Sequence, residues 1–314
     1  MLRREEYTVG WVCALPIELA AAQEMLDEEH EPIQEHDTIF HLGRIGSYNV
    51  VIAGLPVGQT GTVSAAVVAG KMIKAFKSIR IGLMVGIGGG VPAEEADIRL
   101  GDVVISKPHN MHSGVVQYDF GKATPSGFER IGSLNAPPAI LLNAVTNLQA
   151  NHFRGRSRLP EYFAKLKDLP AFAREGAGQD ILFEANYNHQ GQAGCGTCCK
   201  DKLIPREQRV QEVVVHYGTI ASGNRVMRDG VERDSVSAKL GGVLCFEMEA
   251  AGLMNSFPCL VIRGICDYAD SHKNKRWQAY AAGTAAACAK EVLLMIPPED
   301  VVKTRKAELA IASC

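Results

Sequence analysis

The chain lacks long apolar runs, a surplus of one charge, and any internal repeat. No stretch of its 314 residues approaches the roughly 18 consecutive apolar residues of a membrane span, so no membrane partner is expected. Net charge is −2, far from the basic surplus of a general nucleic-acid binder, so no nucleic-acid partner is expected either. The opening residues, Met1-Leu2-Arg3-Arg4-Glu5-Glu6, have no apolar signal region; export is not expected and a cytoplasmic setting is. What the chain does have is 46% hydrophobic content, which suits one large domain, or one domain carrying an elaborated insert. Cys13, Cys245, Cys259, Cys266 and Cys288 lie inside apolar runs and Cys314 at the end. They read as small buried hydrophobes, or a free tail thiol, of a reducing compartment.

Residues 7–14 form a short β-rich run, after which Pro16-Ile17-Glu18 opens a helix expected to reach about residue 29. Proline suits a first helical turn because its missing N–H would be unpaired there anyway. Strand-like segments follow at 38–45 and 48–54, then a helix at 62–76. A strand at 79–85 ends in a glycine-rich turn, Gly86-Ile87-Gly88-Gly89-Gly90, and residues 102–106 form another strand. Residues 136–210 mix a helix near 138–150 with turns and a polar Gly/Cys stretch, and read as an insertion or lid. Strand pattern resumes at 213–221. A helix is expected over 247–256, a strand at 259–265 and an Ala-rich helix at 277–295, with residues 301–314 as a C-terminal tail. This alternation predicts an α/β fold, with one domain at 5–300.

Glu249 and Asp267 sit at the ends of apolar runs, where desolvation penalises a carboxylate unless a ligand compensates it. Asp267 follows the 259–265 strand, and Glu18 and Glu249 each fall in an expected first helical turn. Open α/β sheets bind ligands at such strand ends. An acid at a helix start also simply complements the helix dipole, and for any one of these residues that plain reading is the stronger. Three acids at three strand-to-helix junctions favour a site. Breaking a purine nucleoside's glycosidic bond needs a proton donor for the base, an acceptor for the ribose hydroxyls, and an activated nucleophile. Three carboxyl groups can supply those services.

In three segments the chain resembles the purine and uridine phosphorylase superfamily: Phe246-Glu247-Met248-Glu249-Ala250-Ala251-Gly252, Val261-Ile262-Arg263-Gly264-Ile265-Cys266-Asp267, and Gly101-Asp102-Val103-Val104-Ile105-Ser106. The likeness covers roughly residues 7–135 and 213–296. It is nearest to a fungal branch found alone or as the N-terminal domain of immune-receptor-like proteins. The resemblance implies a central mixed, twisted sheet flanked by helices and a homo-oligomer that needs no organic cofactor. It implies Asp267 as the purine-protonating acid, Glu249 as the ribose acceptor with Met248 packed on the sugar, and Glu247 facing the hydroxyls less directly. It implies Glu18 as the water-activating residue of the hydrolytic branch. Ser222, Asn224 and Val226 fall in the base-contacting segment. Val226 stands where the family often has an aromatic ring, so stacking is assigned to Phe246 or to the insert.

The phosphorylases of the group bind phosphate through an Arg and a Ser where this chain has Met84 and Ile87. Gly88 and its neighbours offer backbone N–H groups to an anion, but an Arg's bidentate contact is harder to replace, so hydrolysis is expected over phosphorolysis. The alternatives are a phosphate-using purine phosphorylase, an ATP-specific nucleosidase, and a nucleoside sensor without turnover. His272-Lys273-Asn274-Lys275-Arg276 reads as a solvated loop or, with Arg44, Arg225 and Arg228, as a phosphate contact. His189, Cys195, Cys198 and Cys199 form a local group of the kind that holds zinc, although four ligands from so short a segment are geometrically tight.

Overall fold

The computed structural model describes residues 2–93, 96–191 and 194–311. From the N-terminus it has β1 (Val9–Cys13), α1 (Pro16–Glu24), β2 (Glu28–Glu35), β3 (Thr38–Ile45), β4 (Tyr48–Gly54), α2 (Thr62–Ala75), β5 (Ile81–Gly90) and β6 (Val103–Ser106). Then come β7 (Val115–Gln117), the hairpin β8 (Gly121–Thr124) and β9 (Gly127–Arg130), α3 (Ala139–Phe153), α4 (Leu159–Lys167) and α5 (Arg174–Ala177). The last part holds β10 (Val215–Gly218), β11 (Ile220–Ser222), α6 (Gly230–Lys239), β12 (Cys245–Glu247), β13 (Cys259–Asp267), α7 (Gln278–Leu294), α8 (Pro298–Lys303) and α9 (Ala307–Ile311).

The main sheet runs β10-β6-β13-β5-β1-β4-β3-β2, with β12, β11 and β7 branching from the carboxyl end of β5. The inner strands β4, β1, β5 and β13 are parallel, whereas β6 runs antiparallel to β13 and β3 antiparallel to β4. The sheet is mixed and flanked by helices, as expected. Strands β1 and β13 are buried at every residue, the pattern of sheet covered on both faces. Helices α1, α3 and α4 all pack on α7, and α7 lies on β13 and β5. Helix α2 packs separately on β1 and β4.

Several segments differ from their sequence reading, each for a local reason. Helix α1 stops at Glu24, and the charged stretch after it is the edge strand β2, paired antiparallel with β3. The expected helix over 247–256 is absent. Glu247 ends β12 and turns its carboxylate back onto the N–H groups of Glu249 (3.0 Å) and Ala250 (2.9 Å), closing a single 3₁₀ turn at Ala250–Gly252. The glycine-rich run 86–90 is not a turn but the last half of β5. Leu141, Leu148 and Leu166, from the segment read as an insertion, are fully buried in the main core through α3 and α4. Val301 and Ala307, near the end, are buried in the same core. Among the described residues no single helix is long and apolar enough to cross a membrane.

Helix α7 reaches β13 because Gly264 has no side chain: a Cβ there would lie 1.8 Å from the backbone oxygen of Ala281. Backbone cannot yield as a side chain can. Gly264→Ala is therefore expected to destabilise the fold by about 3 kcal/mol or more, the upper range of overpacking, read as a fall in urea midpoint.

Candidate active site

The carboxyl ends of β1, β5, β12 and β13 meet around a cavity of about 240 Å³. Its wall includes Leu15, Glu18, Thr60, Ile87, Gly88 and Gly89, then Arg225, Val226 and Met227, then Phe246, Glu247, Met248 and Glu249, and finally Cys266, Ala269, Lys273 and Gln278. Of the residues singled out in the sequence, Glu18, Gly88, Val226, Phe246, Glu247, Met248 and Glu249 are thus brought together.

Glu18 lies in the first turn of α1, and its carboxylate caps that turn, accepting from the N–H groups of Leu15 (2.9 Å) and Ala14 (2.7 Å). Its other oxygen accepts from Ile87 N–H of β5 at 2.8 Å. The dipole reading of this acid is therefore true locally, yet the same group faces the cavity. Burial pushes its pKa up, and Arg263 and the three N–H donors oppose the rise. Glu249 is also buried. One of its oxygens accepts from Gly61 N–H at 3.2 Å, and the other lies 3.4 Å from an Arg263 nitrogen. Burial pushes Glu249 up to about 7; Arg263 opposes that shift and the neighbouring Glu247 and Glu18 add to it.

Beneath these acids lies Arg263, in the middle of β13 and wholly buried. Its guanidinium forms an ion pair with Glu247 and donates to the Ile87 carbonyl at 3.3 Å. One cation therefore serves Glu247, Glu249 and Glu18. Gly86 makes room for it: a Cβ there would lie 2.4 Å from Glu18 Oε1 and 2.5 Å from Arg263 Nη1. The sequence reading gave Arg263 no role. The signal was present, as a lone arginine inside a nine-residue run that is otherwise apolar up to Asp267.

Asp267, the last residue of β13, stands one layer behind the wall. It accepts from Ala269 N–H at 2.9 Å and pairs with Lys273 Nζ at 2.9 Å, and it is Lys273 that lines the cavity. The stretch after Asp267 is accordingly not a simple solvated loop: His272 is buried and Lys273 is committed to the acid. Ser222 and Asn224 are not on the wall. Ser222 Oγ accepts from Ala251 N–H at 2.9 Å, and Asn224 Oδ1 accepts from Thr62 N–H at 3.1 Å, fastening the start of α2. Phe246 faces the cavity but its ring is set edge-to-face on Tyr118, with centroids 5.4 Å apart. Of the cations weighed as phosphate contacts, Arg225 and Lys273 line the cavity, while Arg44 is held by Glu28 on the edge hairpin. His189, Cys195 and Cys198 gather elsewhere, their ligand atoms all within 4.8 Å of one another; Cys199 is exposed and outside that group.

A mixed α/β sheet with acids gathered at its strand ends leaves a ligand site where open α/β sheets place theirs. The chain matches the Phosphorylase superfamily over residues 8–294 and belongs to it. It is 45% identical over 306 residues to a nucleotide-binding leucine-rich repeat (NLR)-like protein of Hyaloscypha variabilis, covering 95% of this chain and 30% of that protein. It is 25% identical over 284 residues to the ATP nucleosidase Cap17 of Escherichia coli, covering 87% of this chain and 48% of that one. The chain thus spans less than half the length of either relative. In fold it is similar to the 5′-methylthioadenosine/S-adenosylhomocysteine nucleosidase of Neisseria meningitidis, solved with methylthio-immucillin-A. That likeness has a TM-score of 0.60 and 19% identity, over 91% of this chain and 98% of that one.

Two stability measurements check the charge cluster. Arg263→Met removes the one cation from a buried set of acids and is expected to cost about 3–5 kcal/mol by urea unfolding. Glu249, raised in the fold, stabilises it fully below its unfolded value of 4.5 and loses that contribution as pH rises through about 7. The urea midpoint of Glu249→Gln should lack the part of the decline that the parent shows across that interval.

Proposed function

We propose that this chain is an N-ribosyl hydrolase that cleaves the glycosidic bond of adenine nucleosides or nucleotides. The observation that carries the reading is the pairing of Glu18 and Glu249 on one cavity wall, both raised in pKa and both anchored by backbone N–H groups. In this reading Glu249 accepts the ribose hydroxyls, a bond that strengthens as positive charge develops on the sugar. Glu18 takes a proton from water, whose oxygen attacks C1′ as the bond to the base breaks. The departing purine takes a proton at N7 from the Asp267–Lys273 pair, whose ammonium lines the cavity, so that the base leaves neutral. Lys273 holds Asp267 in place from the cavity side, and Phe246 and Val226 offer the apolar surface for the ring. Ile87 on the wall and Met84, buried in the core, stand where the phosphorylases bear phosphate-binding side chains; this favours water as nucleophile.

A second reading, ATP as substrate, is favoured by Arg225 and Lys273 on the cavity wall, with Arg228 near enough to Lys273 for their charges to interact. The similarity to an ATP nucleosidase points the same way. A chromatographic screen of adenosine, inosine, guanosine, methylthioadenosine, AMP and ATP, each with and without phosphate, separates the readings. Free base without phosphate is the expected result, and base release that requires phosphate would replace hydrolysis by phosphorolysis. We also propose self-association and a reducing, cytoplasmic setting, the latter resting on the unpaired thiols of the described cysteines. Light scattering on the purified chain tests the former.

Glu18→Gln should lower kcat by about 10²–10⁴-fold while leaving purine binding by calorimetry nearly intact. Because Glu249 must be anionic to accept a hydroxyl, kcat/KM should rise with pH through about 7, and Glu249→Gln should lack that limb.

A further inference from the structure

Residues 180–189 lie against the loop that follows Asp267. Asp180 accepts from the Tyr268 hydroxyl at 2.6 Å, and His189 N–H donates to Ser271 Oγ at 2.9 Å. Phe183 stacks on His272 with centroids 4.1 Å apart, and Tyr187 lies on the same ring at 5.6 Å. At the centre of this contact His189, Cys195 and Cys198 present three ligand atoms within 4.8 Å of one another. Zinc bonds of about 2.3 Å to sulfur and about 2.0 Å to nitrogen would set tetrahedral donors about 3.3–3.8 Å apart. A small contraction therefore closes the set.

A structural zinc requires a fourth donor. His272 lies outside that group of three, its ring centroid 5.6 Å from that of His189, so a side-chain shift must bring it onto the ion; it is buried, and neither of its ring nitrogens has a hydrogen-bond partner. An imidazole buried with both nitrogens unsatisfied is costly. Its Nδ1 lies 3.7 Å from Asp270 Oδ2, beyond hydrogen-bond length but within an easy adjustment. A metal on Nε2 and a tightened Nδ1–H bond to Asp270 would satisfy both nitrogens. A carboxylate that orients a ligand histidine in this way recurs at zinc sites.

We propose that His189, Cys195, Cys198 and His272 form a tetrahedral zinc site fastening segment 180–206 onto the loop that carries Lys273. Cys199 is not a ligand. The ion is structural: its four positions are filled by the protein, and it lies away from the cavity wall.

Elemental analysis of the untagged full chain, expressed with zinc in the medium, should find about one zinc per chain. Exchange for cobalt(II) should give the d–d bands of a tetrahedral ion and thiolate-to-metal charge transfer. Cys195→Ser combined with Cys198→Ser, and separately His272→Ala, should each lower bound metal at least tenfold, whereas Cys199→Ser should keep it. Because some variants will fold poorly, the parent chain carries its own test: removing its zinc with a chelator should speed proteolysis within 180–206. Absence of metal and of cobalt bands in the parent overturns the proposal, as does full retention in folded His272→Ala. An intact mass showing a Cys195–Cys198 disulfide also overturns it. Metal content reads the same whether or not the cavity hydrolyses ribosides, so failure here is distinct from failure of the proposed function.

Discussion

One buried guanidinium organises this molecule. Arg263 sits in the middle of the sheet with Glu247 and Glu249 bonded to it and Glu18 close enough to feel its charge. A single positive charge cannot neutralise three ionised carboxylates in so dry a place. The shortfall is distributed by burial, which raises Glu18 and Glu249, so that protons occupy part of the cluster near neutral pH. An unpaired cation here would be expensive, and so would three unpaired acids; each makes the other tolerable. What results is a set of oxygens held rigidly yet able to exchange protons.

The backbone is arranged around that cluster. Gly86 and Gly89 of β5 are glycine because Glu18 with Arg263, and Asp267, occupy the space where side chains would project; a Cβ on Gly89 would meet Asp267 Oδ1 at 2.8 Å. The chain from β12 onward turns tightly because Glu247 caps it, and that turn places Glu249 on the wall. Glu18 stands in the first turn of α1, Glu247 at the end of β12 and Glu249 on the turn after it, and each accepts from peptide N–H groups that fix its carboxylate before any ligand arrives.

Much of this was legible beforehand because burial leaves a mark in composition. The apolar runs at 48–54, 79–85 and 259–265 appear as β4, β5 and β13. The differences share a cause: each turned on a particular pairing or side-chain contact that local apolar pattern does not display. Charged, half-exposed β2 became a strand only because β3 offered an open edge. Residues 247–256 read as helix by local pattern, but a side chain intercepted the N–H groups that a helix would have begun with. Ser222 and Asn224 looked like substrate contacts and are bonded to backbone elsewhere in the fold. The contact between His189 and His272 crosses 83 positions and has no local signature.

The course of the chain after α7 has a practical corollary. Thr304 receives Arg80, and Ala307 N–H donates to Ile79 at 2.8 Å, so the final helices are moored where β5 begins, whereas the ligand cleft opens where β5 finishes. A reporter or a neighbouring module joined there would hang from the far rim of the sheet, clear of the entrance and free to be large.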